Sequence, residues 1–421
     1  MIRGDATKGS GAAGSAARVV PDRSVPFGLP DIGESEIEAV VRVLRSGWIT
    51  TGPETRAFER EFATYIGVAH AVAVNSCTAA LHLALEALGV TRGDEVLTTT
   101  LTFTATAEVA EYLGARARFV DVDPETLNID PVKVRELIQR EYVWGARAWR
   151  HRETGGRLRA IVPVHFGGHP CEMSVLLGIA REYELHLVDD AAHALPAAVD
   201  RCRIGAFGCP TAFSFYATKT LTTGEGGMLV TDDEVVANRA RLMRLHGISG
   251  DAWKRYAADG NWFYEVLAPG YKYNLTDIAA ALGRVQLTRV ESMWARRCAV
   301  AARYDSGFAG VQEIELPRVR CGVQHAWHLY PIRLRLESLA IDRAHFIEEL
   351  RRRGVGSSVH FIPLHRQPFY ADQYGYRPEE FPVAEREYPR LISLPIYSRM
   401  SDEDVDLVVA AVRDVVECFR V

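Results

Sequence analysis

No stretch of this chain approaches the roughly 18 consecutive apolar residues of a membrane helix, so a membrane-spanning role is not expected. Basic charge is also missing. The 49 Lys and Arg face 54 Asp and Glu, a net charge of −5, whereas nucleic-acid binding favours a basic domain or stripe. Cysteine is present but unpatterned: Cys77, Cys171, Cys202, Cys209, Cys298, Cys321 and Cys418 are odd in number and contain no C-x-x-C. A disulfide framework or a zinc site is therefore not expected, and a reducing cytoplasm suits the chain best. P-loop and Rossmann G-x-G-x-x-G motifs are absent. Residues 1–20 lack the apolar core of a secretory signal, and residues 1–24 read as a disordered leader.

What remains is an ordinary globular composition, 48% hydrophobic and 24% charged over 421 residues. Ile37, Val40, Val41 and Leu44 recur at helical spacing between Ser35 and Arg45. Gly and Pro break that pattern at 46–53, and a second helix runs from about Glu54 to Ile66. Strands and helices then alternate. Strands are expected at Ala71–Asn75, Glu95–Thr99, Ala117–Asp121, Ala160–Val164, Leu185–Asp190, Ala212–Tyr216 and Gly227–Thr231. Between them come helices from Ser76 or Thr78 to about Leu88, and over Ala105–Leu113, Asp130–Arg140 and Met173–Tyr183. Such alternation predicts a mostly parallel sheet flanked by helices. Residues 141–159 read as an insertion. A long helix from Asp277 to about Phe308 is placed to bridge two lobes. A smaller α+β lobe follows, with strands near Tyr330–Leu334 and Ser357–Phe361 and helices at Arg343–Arg353 and Asp402–Phe419. The expected division is 25–275 for a large domain and 276–421 for the bridging helix and small domain.

Three segments carry chemistry. In Ser214-Phe-Tyr-Ala-Thr-Lys219 a lysine stands in a polar turn past an apolar strand, with three glycines following by Gly227. It is either a solvated surface lysine or a Schiff-base lysine, whose amine must lose its proton and meet an aldehyde. Leu185-His-Leu-Val-Asp189-Asp190-Ala-Ala-His193 is a buried strand ending in carboxylates. Ligands sit at such strand ends in parallel sheets, and a carboxylate there can pair with a protonated pyridine nitrogen; a helix cap is the plainer alternative. Val74-Asn-Ser-Cys-Thr78-Ala79-Ala80 joins a strand to a helix start, where free N–H groups can hold a phosphate. Ser214 is a candidate hydroxyl donor to the same anion. His165-Phe-Gly-Gly-His169 and His325-Ala-Trp-His328 resemble metal pairs but have no further ligands, so no metal is expected. Arg351–Arg353 reads as a solvated basic face.

With these motifs, and with Gly47 to Pro53, Gly93 to Val96, Val162 to His165 and Pro269 to Asp277, the chain resembles the DegT/StrS family of sugar-nucleotide aminotransferases over about residues 26–418. That resemblance implies a fold-type-I architecture: an α/β large domain with a mostly parallel seven-stranded sheet, plus the small C-terminal α+β domain. It implies pyridoxal 5'-phosphate as cofactor, with pyridoxamine 5'-phosphate as its aminated form. By correspondence, Lys219 binds the cofactor and Asp190 partners its pyridine nitrogen. His193 lies beside its phenolic oxygen and Phe103 stacks on its ring. Thr78, Ala79 and Ser214 contact its phosphate, and Asn274 is a phosphate ligand from the second subunit of a homodimer. Thr50, Lys272 and His328 face the substrate. The implied substrates are L-glutamate and a nucleotide-diphosphate 4-keto-6-deoxy sugar, which becomes a 4-amino sugar; amination of a 3-keto sugar is the alternative. A non-catalytic regulator would not need the lysine, aspartate and phosphate seat together. The sugar 3-dehydratases of this family carry His where Lys219 stands. Asp189 replaces the family's common Glu, Ala-Leu-Pro follows His193, and the 141–159 insertion is longer than usual.

Overall fold

The computed structural model describes residues 23–249 and 264–421, which leaves the expected leader almost wholly outside. Seven strands form the main sheet: β1 (His70–Val74), β2 (Asp94–Thr99), β3 (Arg116–Val120), β4 (Arg157–Val162), β5 (His186–Leu187 continued by Asp189–Asp190), β6 (Thr211–Ser214) and β7 (Gly227–Thr231). Their order is β1-β7-β6-β5-β4-β2-β3, with β5 pairing β4 through its first half and β6 through its second. Only β7 runs antiparallel to its neighbours. The mostly parallel seven-stranded sheet expected from the sequence is therefore observed. The strands are near-continuous apolar runs because both faces are covered. One face packs Phe58, Phe62, Leu176 and Ile179, and the other Leu81, Leu85, Val109 and Val236.

The helices start where local chemistry lets them. The helix Cys77–Ala87, here α3 after α1 (Glu34–Ser46) and α2 (Pro53–Ile66), has Ser76 as N-cap, its Oγ accepting from Ala79 N–H at 3.1 Å. The helix Glu234–Met243 was not anticipated. Its Glu-Val-Val-Ala start looks strand-like, yet Asp233 caps it through the Val235 and Val236 N–H groups. The 141–159 insertion is a hairpin, Tyr142–Gly145 with Ala148–His151, that reaches β4 where Arg150 faces Arg157.

The helix Asp277–Gly307 spans 31 residues. Its first half packs on α1 and α2, with Gly283 so close that a Cβ would lie 2.7 Å from the Phe58 ring. Its second half puts Val300, Ala301 and Tyr304 into a separate core around the antiparallel strands Ile314–Glu315, Tyr330–Leu334 and Leu391–Leu394. Val25, expected to open the large domain, bridges Val355 and is buried in this second core. The strand expected at Ser357–Phe361 is absent. Ser358 exchanges both backbone hydrogen bonds with Ser393, and the chain then leaves the sheet and lines a cavity with His360 and Phe361. No helix among the described residues is long and apolar enough to cross a membrane.

One buried carboxylate ties the long helix to α2. The N-cap of α2 is Gly52, which has no side chain to satisfy the first N–H groups. Asp277 does so from across the fold, with Oδ1 accepting from Gly52 N (2.7 Å), Thr55 N (3.0 Å) and Thr55 Oγ1 (2.7 Å), and Oδ2 from Glu54 N (3.1 Å). Asp277→Ala strands these buried donors and is expected to cost about 3 kcal/mol. Chemical denaturation of the variant measures it, and a loss under about 1 kcal/mol would show that the carboxylate is not what holds this junction.

Candidate active site

A cavity of about 440 Å³ opens at the carboxyl ends of β5 and β6, against the start of α3. Thr78, Phe103, Asp190, His193, Ser214, Lys219 and His328 all line it, so residues up to 250 positions apart in sequence converge on one space. Parallel strands expose their carboxyl ends together, and that is the physical reason for the convergence.

Asp190 is the most constrained of them. It is 4% exposed. Thr106 Oγ1 donates to its Oδ2 at 2.7 Å, Ala192 N–H donates to Oδ1 at 3.1 Å, and Thr102 Oγ1 lies 2.8 Å from Thr106 Oγ1. Burial pushes its carboxyl above the usual range, opposed by these donors and by the Lys219 charge. Lys219 follows β6 in a turn closed by its own N–H on Tyr216 O. Burial lowers its amine to about 8, with the Arg297 guanidinium adding to the effect and Asp190 opposing it. An amine lowered to about 8 holds a far larger free-base fraction near neutral pH than an ordinary lysine, and the free base is what attack on an aldehyde requires.

Three imidazoles surround that amine. His328 Nε2 is 3.4 Å from Lys219 Nζ, and its Nδ1 is buried without a hydrogen-bond partner. His193 lies with its ring centroid 4.2 Å from that of His328. His360, held at Nδ1 by Ser393 Oγ at 2.9 Å, completes the set. Burial, then the Lys219 charge, keeps all three neutral, His360 lowered to about 4. Gly167 N–H donates to His193 Nδ1 at 3.3 Å, so the ring proton sits on Nε2 and can be donated.

Four expected site residues lie elsewhere. Ala79 is buried behind the cavity wall and its N–H is already spent on Ser76 Oγ, so the phosphate contact expected of it is not available. Thr50, Lys272 and Asn274 sit together outside this cavity. Thr50 O accepts from Asp277 N, Lys272 bridges Leu245, and Asn274 Nδ2 donates to Thr51 Oγ1 at 2.7 Å. Phe103 is on the wall but 59% exposed, with its ring 6.0 Å from Phe361. Thr106, Cys77, Tyr216 and His360 were not singled out from the sequence. Thr106 stands in the first turn of the helix Ala105–Tyr112, just past the threonine-rich end of β2, and that placement was a usable signal. Nothing local marks His360.

Pyridoxal phosphate fits this donor set. A buried carboxylate with two donors suits a protonated pyridine, a lowered lysine suits its aldehyde, and the start of α3 with Thr78 and Ser214 suits its phosphate. Gly227 lets β7 pass under that seat: a Cβ there would lie 2.5 Å from Ser76 C and O and 2.6 Å from Cys77 N.

Known proteins share this architecture. SpsC, a spore coat polysaccharide biosynthesis protein of Bacillus subtilis, is 46% identical over 394 residues, 93% of this chain and 97% of SpsC. Spr1654 of Streptococcus pneumoniae, solved in its PLP form, superposes with a TM-score of 0.84 at 33% identity, covering 94% of this chain and 99% of that one. The sugar aminotransferase CalS13 of Micromonospora echinospora superposes with a TM-score of 0.78 at 30% identity, covering 92% and 99%. The DegT/DnrJ/EryC1/StrS aminotransferase family matches residues 30–413. On that match, joined to the lysine and aspartate of the cavity, the chain belongs to this family and is a pyridoxal-phosphate-dependent aminotransferase.

Proposed function

We propose that this sugar aminotransferase moves an amino group from L-glutamate to C4 of a nucleotide-linked 4-keto-6-deoxy sugar. The observation that carries the chemical half of this reading is the lowered Lys219 amine and the buried Asp190 carboxylate on one cavity wall. The relatives support a sugar as acceptor: CalS13 is a sugar aminotransferase, and SpsC serves polysaccharide biosynthesis. When bound, pyridoxal phosphate supplies the electron sink that lets an amine pass between two carbonyl compounds.

The residues divide the remaining work. Lys219 offers its free-base amine to the cofactor's aldehyde and, once released, moves a proton at the carbon that loses or gains nitrogen. Asp190, held by Thr106 and Ala192, keeps the pyridine nitrogen protonated. His193 donates from Nε2 toward the phenolic oxygen. Thr78 and Ser214 seat the phosphate and Phe103 covers the ring. His328, against Lys219, lies where the sugar carbonyl must enter. The cytoplasm is the compartment that suits seven free thiols.

Thr50, Lys272 and Asn274 act in the partner's site of a homodimer. Their place outside the chain's own cavity supports this, as do the exposed Ile49, Val266 and Leu267 on the flanking segments. Asn274 would complete the phosphate seat, and Lys272 would meet the substrate diphosphate. Mixing Lys219→Ala with Asn274→Asp subunits gives dimers with one doubly damaged and one intact site. About a quarter of wild-type turnover should return at equal mixing; no recovery after verified subunit exchange contradicts shared sites.

The acceptor is tested by a panel. The holoenzyme and glutamate are incubated with thymidine- and uridine-diphospho 4-keto and 3-keto sugars, and the new C–N bond is located by NMR. Amination at C4 is expected. Amination at C3 alone, or of keto acids without a sugar product, overturns the acceptor and leaves the cofactor chemistry standing.

A further inference from the structure

Most side-chain hydrogen bonds run to backbone or water. Two buried threonines depart from that pattern on the wall of the cavity. Thr102 and Thr106 are each 1% exposed, and both line it. Thr106 Oγ1 donates to Asp190 Oδ2 at 2.7 Å, and Thr102 Oγ1 lies 2.8 Å from Thr106 Oγ1.

The supply of protons sets the direction of this chain. A threonine hydroxyl has one hydrogen to give, and an ionised carboxylate has none. Thr106 spends its hydrogen on Asp190, so the hydrogen between the two threonines comes from Thr102. Each hydroxyl polarises the next, and the series ends on the carboxylate. The remaining donors to Asp190 differ in kind. Ala192 gives a backbone N–H at 3.1 Å. The Cys77 thiol has a single hydrogen and lies nearer Ala212 O, at 3.5 Å, than Asp190 Oδ1, at 3.9 Å. Among the described residues, Thr106 is thus the hydroxyl that meets this carboxylate.

A carboxylate that partners a pyridine shares one proton with it, and the two groups titrate as a pair. Whichever is more basic holds the proton. Burial, the largest influence on Asp190, pushes it toward holding the proton itself. Thr106, Ala192 and Lys219 pull the other way, and Asp189 opposes them. The Cys77 thiol is pushed well up by burial and stays protonated. Hydrogen bonds to a charged form favour that form, so the threonine chain works to keep Asp190 ionised.

We infer that Thr106, aligned by Thr102, is a positioning residue that keeps the shared proton on the ring nitrogen of pyridoxal phosphate rather than on Asp190. The inference rests on the roles assigned above to Lys219 and Asp190. Thr106→Val keeps the side chain's shape and removes the hydroxyl, whereas Thr106→Ser keeps the hydroxyl and removes the methyl group. A packing role and a proton-holding role therefore predict opposite patterns.

The test uses holoenzymes of wild type, Thr106→Val, Thr106→Ser and Thr102→Val, reconstituted with pyridoxal phosphate isotopically labelled at its ring nitrogen. Nitrogen NMR reads whether that atom carries the proton, with thermal melting alongside. Thr106→Val should lower the ratio of ring-protonated to ring-neutral cofactor roughly tenfold and move the signal toward that of a neutral pyridine. Thr106→Ser should stay at the wild-type position. Thr102→Val leaves the bond from Thr106 to Asp190 in place and should move the signal the same way by less. An unmoved signal in Thr106→Val overturns the inference, and so does a signal displaced in Thr106→Ser as far as in Thr106→Val. If Thr106→Val does not fold, an unmoved signal in Thr102→Val overturns it instead. A neutral ring nitrogen in the wild type overturns the Asp190 reading itself, and a wild type that binds no cofactor overturns the Lys219 reading, both distinct from failure of the threonine chain.

Discussion

A carboxylate buried at the end of a parallel strand is tolerable only where donors and a cation meet it, and the architecture around Asp190 is arranged to bring them there. Thr106 comes from the start of the helix after β2, Ala192 from the turn after β5 and Lys219 from the turn after β6. Each sits at a carboxyl end of the same sheet, so the sheet's order is also the order in which the cavity is assembled. The same burial that raises Asp190 lowers Lys219, and the partial attraction between them offsets both shifts. Opening the cavity to water would relax both toward their ordinary values and remove the free-base amine.

Much of this was legible in the chain. Lys219, Asp190, His193, Ser214 and Thr78 lie at strand ends or at a helix start, and strand ends are what apolar runs bounded by glycine and polar residues mark. The final helix Asp402–Phe419 could be placed from its Ser401 cap and its valines at helical spacing. Failures came where the partner a group finds, near or distant, decides. Ser357–Phe361 has the residues of a strand, but only Ser358 finds a partner. Ala79 lies in the right motif, yet the adjacent Ser76 hydroxyl takes its N–H. His360 reaches Lys219's surroundings through tertiary folding alone, 141 residues after it in sequence.

The second core has a positional role. The long helix carries Arg297, 3% exposed, between the cores, where it donates to the carbonyls of Trp327, His328 and Ile396. A buried guanidinium spent on backbone carbonyls fixes the His325–His328 segment, and with it the imidazole that touches Lys219. Asp277 does the corresponding work at the other end of that helix, fixing the loop that holds Thr50 and Thr51. One helix thus positions a wall of the chain's own cavity and the segment assigned to the partner's.

The central claim is that Lys219 is the residue to which pyridoxal phosphate binds covalently. The chain has only Lys8, Lys133, Lys219, Lys254 and Lys272 to choose among, so the site of attachment can be read without ambiguity. The holoenzyme is reduced with borohydride, digested, and its pyridoxyl-bearing peptide sequenced by mass spectrometry. Recovery of the label on the peptide containing Lys219, and its loss in Lys219→Ala, is the predicted result. A label on any other lysine, or a reconstituted protein that carries none, would contradict the account.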